Sequence, residues 1–144
     1  MKISTRGRYG IRLLIDLAEH MNEPHVPLAS VAERQSISVR YLEQVAVILK
    51  RAHFIRSVKG ASGGYTLAHK PEDISIGGVL RVLEGDMFVV DPLVPNIPET
   101  KIQQCIRTVV FDRLNARVAE IIDHGTIASL VGTIDPEESY MYFI

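Results

Sequence analysis

Five polar side chains within seven consecutive residues carry the groups that proteins use to read the edges of DNA bases. They are Ser38, Arg40, Tyr41, Glu43 and Gln44. An arginine can pair with guanine, a glutamine can pair with adenine, and a glutamate can accept a hydrogen bond from the amino group of cytosine. Ordinary structural alternatives are a helix cap for Ser38, local ring packing for Tyr41 and a solvated charge for Glu43. The segment predicts base recognition if a helix presents it outward.

Further cations on either side of this segment could contact the phosphate backbone. They are Arg6, Arg8, Arg12, Lys50, Arg51, Arg56 and Lys59. Such contacts position a protein on DNA and make its affinity depend on salt, but they do not read sequence. Each of them taken singly is an ordinary solvated cation, so the prediction of a phosphate-binding surface depends on the group.

The formal charge is divided unevenly along the chain. Residues 1–70 contain 11 Lys and Arg against 5 Asp and Glu, whereas residues 71–144 contain 5 against 12. A basic first half indicates one surface that faces a polyanion, and chance clustering on solvated faces is the alternative.

A glycine-rich loop supplies the second candidate contact with DNA. Lys59 is followed by Gly60, Gly63 and Gly64. Glycine tolerates positive φ and has no Cβ, so a loop of this kind can approach a sugar–phosphate backbone closely. A plain hairpin turn is the alternative, and the spacing does not match a nucleotide-binding P-loop.

The elements expected to position these residues are mainly helical. Thr5 can cap a first helix that runs to about Met21, where a proline-containing segment follows. A short helix over Leu28–Gln35 and a tight connection then lead to Ser38, the cap of a third helix that runs to about His53. Four residues of that third helix are expected to face inward: Leu42, Val45, Ala46 and Leu49. Two helices joined by a short turn are typical of a helix-turn-helix.

A hairpin and a fourth helix complete the expected DNA-binding domain. Two β-prone runs lie on either side of the glycine-rich loop and predict a β-hairpin wing. Ser75 can cap a fourth helix that ends near Glu84. Residues 1–85 are therefore expected to form a mainly α winged helix-turn-helix, and the proline-containing residues 86–99 a linker loop.

The longest helix is expected to begin after Thr100 and to run to about His124, with Gly125 as its stop. Its apolar residues form one broad stripe: Ile102, Ile106, Val109, Val110, Leu114, Val118 and Ile121. A helix of about 36 Å with so broad an apolar face needs more partner surface than one small domain supplies, and a two-fold-related copy is the simplest source. Folding back on its own domain is the alternative. We therefore expect residues 100–125 to be a dimerisation helix and residues 126–144 to be a C-terminal extension and tail.

Several classes of site are excluded by the residue types. Cys105 is the only cysteine, so an intrachain disulfide and a site of several thiolates are excluded. On the apolar stripe it is expected to pack as a small hydrophobe, and a redox switch is the alternative. The five histidines lie far apart and no nucleophile–base pair is evident, so neither a metal site nor an enzyme is expected. With neither a signal-peptide core at its start nor a run approaching ~20 apolar residues, the chain is expected to be cytoplasmic and not membrane-bound.

Four sequence blocks follow one another along the first 85 residues. They are MKISTRGRYG at the start, ISVRYLEQ from Ile37, VKGASGGYTL from Val58 and ISIGGVLRVLEG from Ile74. In order and spacing they resemble the Rrf2 family of bacterial transcription regulators. The resemblance implies a winged helix-turn-helix homodimer with crossed long helices that binds palindromic double-stranded DNA. It places DNA contacts on Ser38, Tyr41, Glu43, Gln44, Lys59 and the glycines beside Lys59, and gives Arg40 a contact-capable position.

Many members of that family sense an iron–sulfur cluster through three cysteines in the loop before the long helix. Residues 86–98 contain no cysteine, and a cluster needs about four ligands, so no cofactor is expected. The chain resembles instead the cluster-free branch of the family, whose members end in a similar aromatic stretch closed by isoleucine. That branch implies a repressor of cysteine or sulfur metabolism genes, with cysteine synthase as a protein partner.

The last five residues are the candidate partner-binding tail: Tyr140, Met141, Tyr142, Phe143 and Ile144. An uncharged segment with a free carboxylate suits capture in a partner's pocket, whereas packing of Tyr142 and Phe143 on the dimerisation helix is the alternative. Two other functions stay open. One is an Rrf2-type regulator of another stress or metabolite signal, and the other is a protein-interaction subunit that binds a metabolic enzyme through this tail.

Overall fold

The computed structural model describes residues 1–135, which form a mainly helical domain and one long helix. The α-helices are α1 (Thr5–Glu19), α2 (Leu28–Gln35), α3 (Val39–Arg51), α4 (Ile76–Glu84), α5 (Lys101–Ile106), α6 (Asp112–His124) and α7 (Ile127–Ile134). Between α3 and α4 lie the antiparallel strands β1 (Ile55–Val58) and β2 (Gly64–Leu67), followed by a 3-10 turn (Pro71–Asp73). This order confirms the predicted winged helix-turn-helix, and the β1–β2 hairpin is its wing.

Side-chain caps set the starts of the helices. Three predicted caps are confirmed, and each accepts a hydrogen bond from the backbone N–H three residues later: Ser38, Ser75 and Thr100. At α1 the prediction was wrong by one residue, because the cap is Ser4 and not Thr5. Glu84 of α4 accepts hydrogen bonds from the backbone N–H of Ser4 at 2.9 Å and from its hydroxyl at 2.5 Å. This contact from a distant helix favours Ser4 over its neighbour.

Two glycines allow α1 to approach α4 closely. Gly7 and Gly10 are buried, and a Cβ at these positions would collide with Glu84 and Leu83 respectively. The Glu84 carboxylate also accepts a hydrogen bond from the backbone N–H of Gly7 at 3.1 Å, which puts a negative charge at the positive end of α1. The glycines of the opening motif are therefore packing residues.

The turn between α2 and α3 directs one face of α3 into the core. Ser36 has φ 54° and ψ 47°, a left-handed conformation that reverses the chain sharply, and Ile37 after it is buried. The four residues of α3 that were predicted to face inward are all 0% exposed: Leu42, Val45, Ala46 and Leu49. The opposite face of α3 is therefore left outside the core.

The helix α5, a π turn (Arg107–Phe111) and α6 run on without a break as the long helix, residues 101–124. Six residues of the predicted apolar stripe are 42–73% exposed: Ile102, Ile106, Val109, Val110, Leu114 and Ile121. Val118 is half-buried. Cys105 is exposed as well, so the expected core packing is wrong for the single protomer, because α5 extends beyond the domain that would have buried it. No helix formed by residues 1–135 combines the length and the hydropathy that a bilayer span requires.

The π turn changes the phase of the apolar stripe. Five of its residues are spaced four positions apart: Ile102, Ile106, Val110, Leu114 and Val118. Each step of four residues along a straight α-helix advances by about 40° around its axis, so these side chains would drift by about 160° from the first to the last. The extra residue of a π turn turns the later positions back by about 100°. The residues before and after the π turn therefore stay on one side of the long helix.

After the long helix the chain returns to the domain. The backbone N–H of Ile76 donates to the carbonyl of Gly125 at 2.9 Å, and that of Ile127 donates to the carbonyl of Ile74 at 3.0 Å. Ile127 is fully buried and α7 packs against α1, which the sequence patterns did not predict. Gly125 ends α6 as predicted, but with φ −72° and not in the left-handed conformation of a glycine cap.

Asp16 on α1 is a charged side chain within the core and is 2% exposed. Its carboxylate accepts two hydrogen bonds from Arg34, at 3.0 and 2.6 Å, and one from Gln35 at 3.0 Å. Burial by itself would raise the pKa of Asp16, but these hydrogen bonds and the charge of Arg34 hold it below its ordinary value. The cluster joins α1 to the end of α2, immediately before the turn into α3.

We expect Asp16→Asn to lower the free energy of unfolding by about 2 kcal/mol at pH 7, because Arg34 loses a buried charged acceptor while staying partly exposed itself. Urea denaturation at one fixed protein concentration measures this change. A lowered pKa in the folded state means that ionised Asp16 stabilises the fold above its unfolded-state pKa. This contribution is lost as the pH falls through the folded-state pKa, so the difference between variant and parent should shrink in acid.

Glu33→Gln is the matched control, because Glu33 lies on α2 but is exposed. It should change the free energy of unfolding by less than about 0.5 kcal/mol. Equal effects of the two substitutions would contradict a structural role for the Asp16 cluster.

Candidate nucleic-acid interface

The outward face of α3, the recognition helix, carries polar side chains without partners. At about 100° per residue, Arg40, Gln44 and Arg51 lie opposite the face that is buried in the core. All three are exposed, and none forms a hydrogen bond or ion pair through its side chain within residues 1–135. Their donor and acceptor groups are therefore free to exchange water for the edges of bases or for phosphates.

Val47 also lies on this outward face and was not among the predicted site residues. It is 45% exposed, although its neighbours on the helix surface, one turn away, are the polar Glu43, Gln44 and Arg51. An apolar side chain at this place can contact the methyl group of thymine. The helical phase relative to Leu42 and Val45 could have indicated it from the sequence.

Glu43 faces the wing across an open groove. The residues that line this groove are Leu28, Glu43, Ser57, Val58, Lys59, Gly60, Gly63, Gly64 and Tyr65. The structure therefore brings Glu43 of the recognition helix and Lys59 of the wing, which were predicted separately, onto one surface. Lys50, on the last turn of α3, is also exposed.

Two of the predicted contact residues on the recognition helix have structural roles. Ser38 caps α3, and its hydroxyl accepts a hydrogen bond from the backbone N–H of Tyr41 at 3.4 Å. The ring of Tyr41 packs edge-to-face on Tyr9 of α1, with centroids 5.4 Å apart and planes at 79°. Both residues therefore have local structural explanations, whether or not they also contact DNA.

The arginines predicted to contact phosphate differ in whether their guanidinium groups already have partners in the protein. Arg6 is exposed and has no partner within residues 1–135, and Arg8 donates only to the Thr5 hydroxyl at 3.1 Å. Arg12, by contrast, donates to Gln35 through two nitrogens and stacks on Tyr9, 5.3 Å from the ring centroid. Arg56 donates to the Ala68 carbonyl at 3.2 Å. Arg6 and Arg8 are therefore the freer cations of α1.

The three glycines of the wing meet different physical requirements, either a positive φ or a close backbone contact that leaves no room for a Cβ. Gly60 has φ +133° and open space around the position of a Cβ. A Cβ at Gly63 would collide with the Val58 carbonyl of the same wing, and one at Gly64 would collide with the Val26 carbonyl. The strand β2 is held there because Val26 and Tyr65 exchange two backbone hydrogen bonds of 2.8 Å. Internal packing therefore accounts for the absence of a side chain at Gly63 and Gly64, whereas positive φ accounts for glycine at Gly60.

An iron–sulfur group does not fit the donor residues present. Cys105 is the only cysteine of the chain, and two copies would supply two thiolates where a cluster needs about four ligands. Within residues 1–135 no three His, Cys, Asp or Glu side chains come together in a way that could hold a metal ion.

Comparison with known proteins gives a consistent picture. The Rrf2 family model, described as an iron-dependent transcriptional regulator, matches residues 3–133. The HTH-type transcriptional regulator CymR of Bacillus subtilis (strain 168) is 37% identical over 145 residues, which span 100% of both chains. The solved structure of CymR, the global cysteine regulator of B. subtilis, has a TM-score of 0.80 at 33% identity and covers 92% of this chain and 98% of that chain. T. potens IscR has a TM-score of 0.74 at 37% identity, with coverage of 99% and 96%.

The family description names iron dependence, but this chain lacks the cysteines that an iron–sulfur cluster needs. The match itself extends through the recognition helix, the wing, the long helix and nearly all of α7. The chain belongs to the Rrf2 family of transcriptional regulators.

Proposed function

We propose that this protein is a sequence-specific DNA-binding repressor of cysteine or sulfur metabolism genes that acts as a homodimer without an iron–sulfur cluster. The observation that carries the proposal is the unpartnered face of the recognition helix beside the wing. Arg40 and Gln44 are exposed there without partners in the described chain, and Glu43 shares a groove with Lys59. No catalytic role is proposed for these residues.

Base recognition is assigned to the amino-terminal half of the recognition helix, which enters the major groove in proteins of this architecture. Arg40 can pair with guanine, Gln44 with adenine, and Glu43 can accept from cytosine. Ser38 and Tyr41 are assigned to the same surface, where each hydroxyl can donate a hydrogen bond to DNA. The phosphate contacts are assigned to Arg6, Arg8, Lys50, Arg51, Lys59, Gly60, Gly63 and Gly64.

A homodimer is proposed because the long helix exposes a broad apolar surface in the single protomer. Six of its seven apolar stripe residues are 42–73% exposed, and a partner surface would remove them from water. The interface would be formed by Ile102, Ile106, Val109, Val110, Leu114, Val118 and Ile121. A two-fold axis between two long helices would present two recognition helices about one turn of DNA apart, which matches a palindromic operator.

Repression of cysteine or sulfur metabolism genes is proposed from the similarity to CymR over the whole chain. A dimer bound across a promoter excludes polymerase sterically. Genome-wide capture of bound DNA, with and without sulfur starvation, tests the assignment. Bound sites should be enriched near sulfur amino-acid genes, and enrichment elsewhere would favour an Rrf2-type regulator of another signal.

Cysteine synthase is proposed as a protein partner of the tail, residues 140–144, which lies outside the described residues. The support is the sequence of the tail, which is uncharged and rich in apolar and aromatic side chains that a partner's pocket could bury. A protein that binds a metabolic enzyme only, with DNA contact incidental, is the alternative.

We expect Gln44→Ala to weaken operator binding by about tenfold to a hundredfold, because a bidentate contact with adenine contributes about 1–3 kcal/mol. Binding to random DNA should stay unchanged, since that binding depends on phosphate contacts. Titration of both duplexes by fluorescence anisotropy at physiological salt measures the two affinities. Gln104→Ala, an exposed glutamine on α5, is the matched control.

Lys59→Ala should behave differently from Gln44→Ala. It should weaken binding to operator and to random DNA by similar factors. It should also reduce the slope of log affinity against log salt by about two, because the homodimer loses one phosphate contact from each protomer. If this surface did not contact DNA, both variants would keep the parent's affinity for operator and for random DNA. That result would contradict the proposed interface.

We expect Leu114→Glu to give monomers, because it places a charge in the proposed apolar interface while the residue is 43% exposed in the folded protomer. Multi-angle light scattering should show half the parent's mass, and operator affinity should fall at least about a hundredfold as two linked half-sites become independent. Arg113→Glu, exposed beside it but off the stripe, should leave the mass unchanged. A Leu114→Glu protein that stays dimeric would contradict the assigned interface.

Deletion of residues 140–144 should abolish binding to purified cysteine synthase and leave operator affinity unchanged, because the tail is not part of the proposed DNA-binding surface. Pull-down with the purified enzyme and anisotropy with the operator measure the two properties. If the deletion instead dissociates the dimer, the tail packs on the dimerisation helix and the partner assignment is wrong.

A further inference from the structure

A cavity of about 310 Å³ lies between the loop of residues 86–99 and the long helix. Twelve residues line it, six of them from the loop and six from the helix around the π turn. Its volume falls at the lower end of the range in which proteins bind small organic molecules. The cavity lies apart from the recognition helix and the wing, so the proposed DNA contacts do not use it.

The loop that covers the cavity is held in place by Asn115 of α6. The Asn115 side-chain oxygen accepts hydrogen bonds from the backbone N–H of Val89 at 2.8 Å and of Val90 at 3.3 Å. Its amide nitrogen donates to the carbonyl of Val90 at 2.8 Å. At the other end of the loop, Glu99 accepts two hydrogen bonds from Arg107, at 2.7 and 2.9 Å. Because both ends are fixed to the long helix, the cavity is formed before any ligand enters.

The charges around the cavity favour a cation. Arg107 is already bound by Glu99 and also donates to Asp112 at 2.9 Å. The hydrogen bond from Arg107 lowers the pKa of Glu99, which keeps that carboxylate ionised at neutral pH. Asp91 forms no side-chain hydrogen bond or ion pair within residues 1–135. The cavity is therefore lined by three carboxylates, of Asp91, Glu99 and Asp112, and by one guanidinium, of Arg107. Of the three carboxylates, that of Asp91 is free to accept a hydrogen bond from a ligand.

Apart from Gln103 and Asn115, the rest of the wall is apolar. Leu93 and Ile97 of the loop and Phe111 of the π turn provide hydrocarbon surface, and the two loop residues are 48% and 57% exposed. A ligand in the cavity would remove this surface from water, which is the usual source of affinity for a small molecule.

We propose that this cavity binds a small organic cation, in which an ammonium group is attached to an apolar body, as in an alkylamine. The ammonium group donates hydrogen bonds to Asp91, and the apolar body packs on Leu93, Ile97 and Phe111. The binding does not depend on DNA recognition, so it can be tested on the protein alone.

The test uses the full-length protein and four probes of similar size: isoamylamine, L-leucine, isoamyl alcohol and isovalerate. Isothermal titration calorimetry and NMR chemical-shift mapping measure binding. A ligand of six to nine heavy atoms can reach a Kd on the order of 1 mM or tighter. Isoamylamine should bind saturably and shift signals of the loop and the π turn, whereas the zwitterionic, neutral and anionic probes should bind at least about fivefold more weakly. Binding of L-leucine as tight as that of isoamylamine would contradict recognition of a cation, because the leucine carboxylate would lie among Asp91, Glu99 and Asp112.

Two substitutions of exposed carboxylates separate this site from general electrostatics. Asp91→Asn should weaken binding of the cationic probe about five- to tenfold, since it removes a charge-assisted hydrogen bond. Asp86→Asn, in the same loop but outside the cavity lining, should leave the Kd unchanged. No saturable binding of isoamylamine, equal binding of isovalerate, or equal effects of the two substitutions would overturn the proposal.

Discussion

The carboxylate of Asp16 is the charged group on which the position of the recognition helix depends. It is buried in α1 and binds Arg34 and Gln35, the last residues of α2 before the turn. Gln35 is held from its other side by Arg12 of α1. The end of α2 is thereby fixed at three points, so the left-handed residue Ser36 can direct α3 in one orientation only. A buried charge is costly unless it is fully bonded, and this cost makes other arrangements of α1 and α2 unfavourable.

Residues of the DNA-facing surface combine structural and recognition roles to different degrees. Ser38, Tyr41, Gly63 and Gly64 each have an internal contact that explains the residue type. Arg40, Gln44, Lys59 and Gly60 have no such contact in the described part of the chain. Since no structural contact restrains Arg40 and Gln44, these two base-reading residues are free to vary with the sequence of an operator. Lys59 is assigned to phosphate, and the positive φ of Gly60 favours glycine there. The first group keeps the recognition helix and the wing on one surface.

The long helix connects the domain to its proposed partner copy and to the cavity. Its carboxyl end is anchored by the Arg81–Asp123 ion pair, with bonds of 2.5 and 3.0 Å, and by the return of the chain into α7. Its amino-terminal part extends away from the domain and carries the exposed apolar residues. The π turn lies between these parts, where it sets the phase of the apolar stripe and supplies Arg107 and Phe111 to the cavity. One irregular turn therefore takes part in both surfaces.

The sequence by itself determined the elements whose signals are local. The caps Ser38, Ser75 and Thr100, the bounds of α2 and α4 and the inward face of α3 were all predictable, because a cap or a helical period involves residues a few positions apart. The outward face of α3 followed from the same period, and with it most of the candidate DNA-reading residues. The family resemblance added the function that these local patterns left open.

The tertiary structure alone decided the features that depend on contacts between distant residues. Glu84 made Ser4 and not Thr5 the cap of α1, Ile127 brought α7 into the core, and Val26 accounted for Gly64. No local pattern encodes these contacts, because their partners are separated by 38 to more than 80 positions or are defined only once the core has formed. The same holds for the cavity, whose walls meet only when Asn115 binds the loop of residues 86–99.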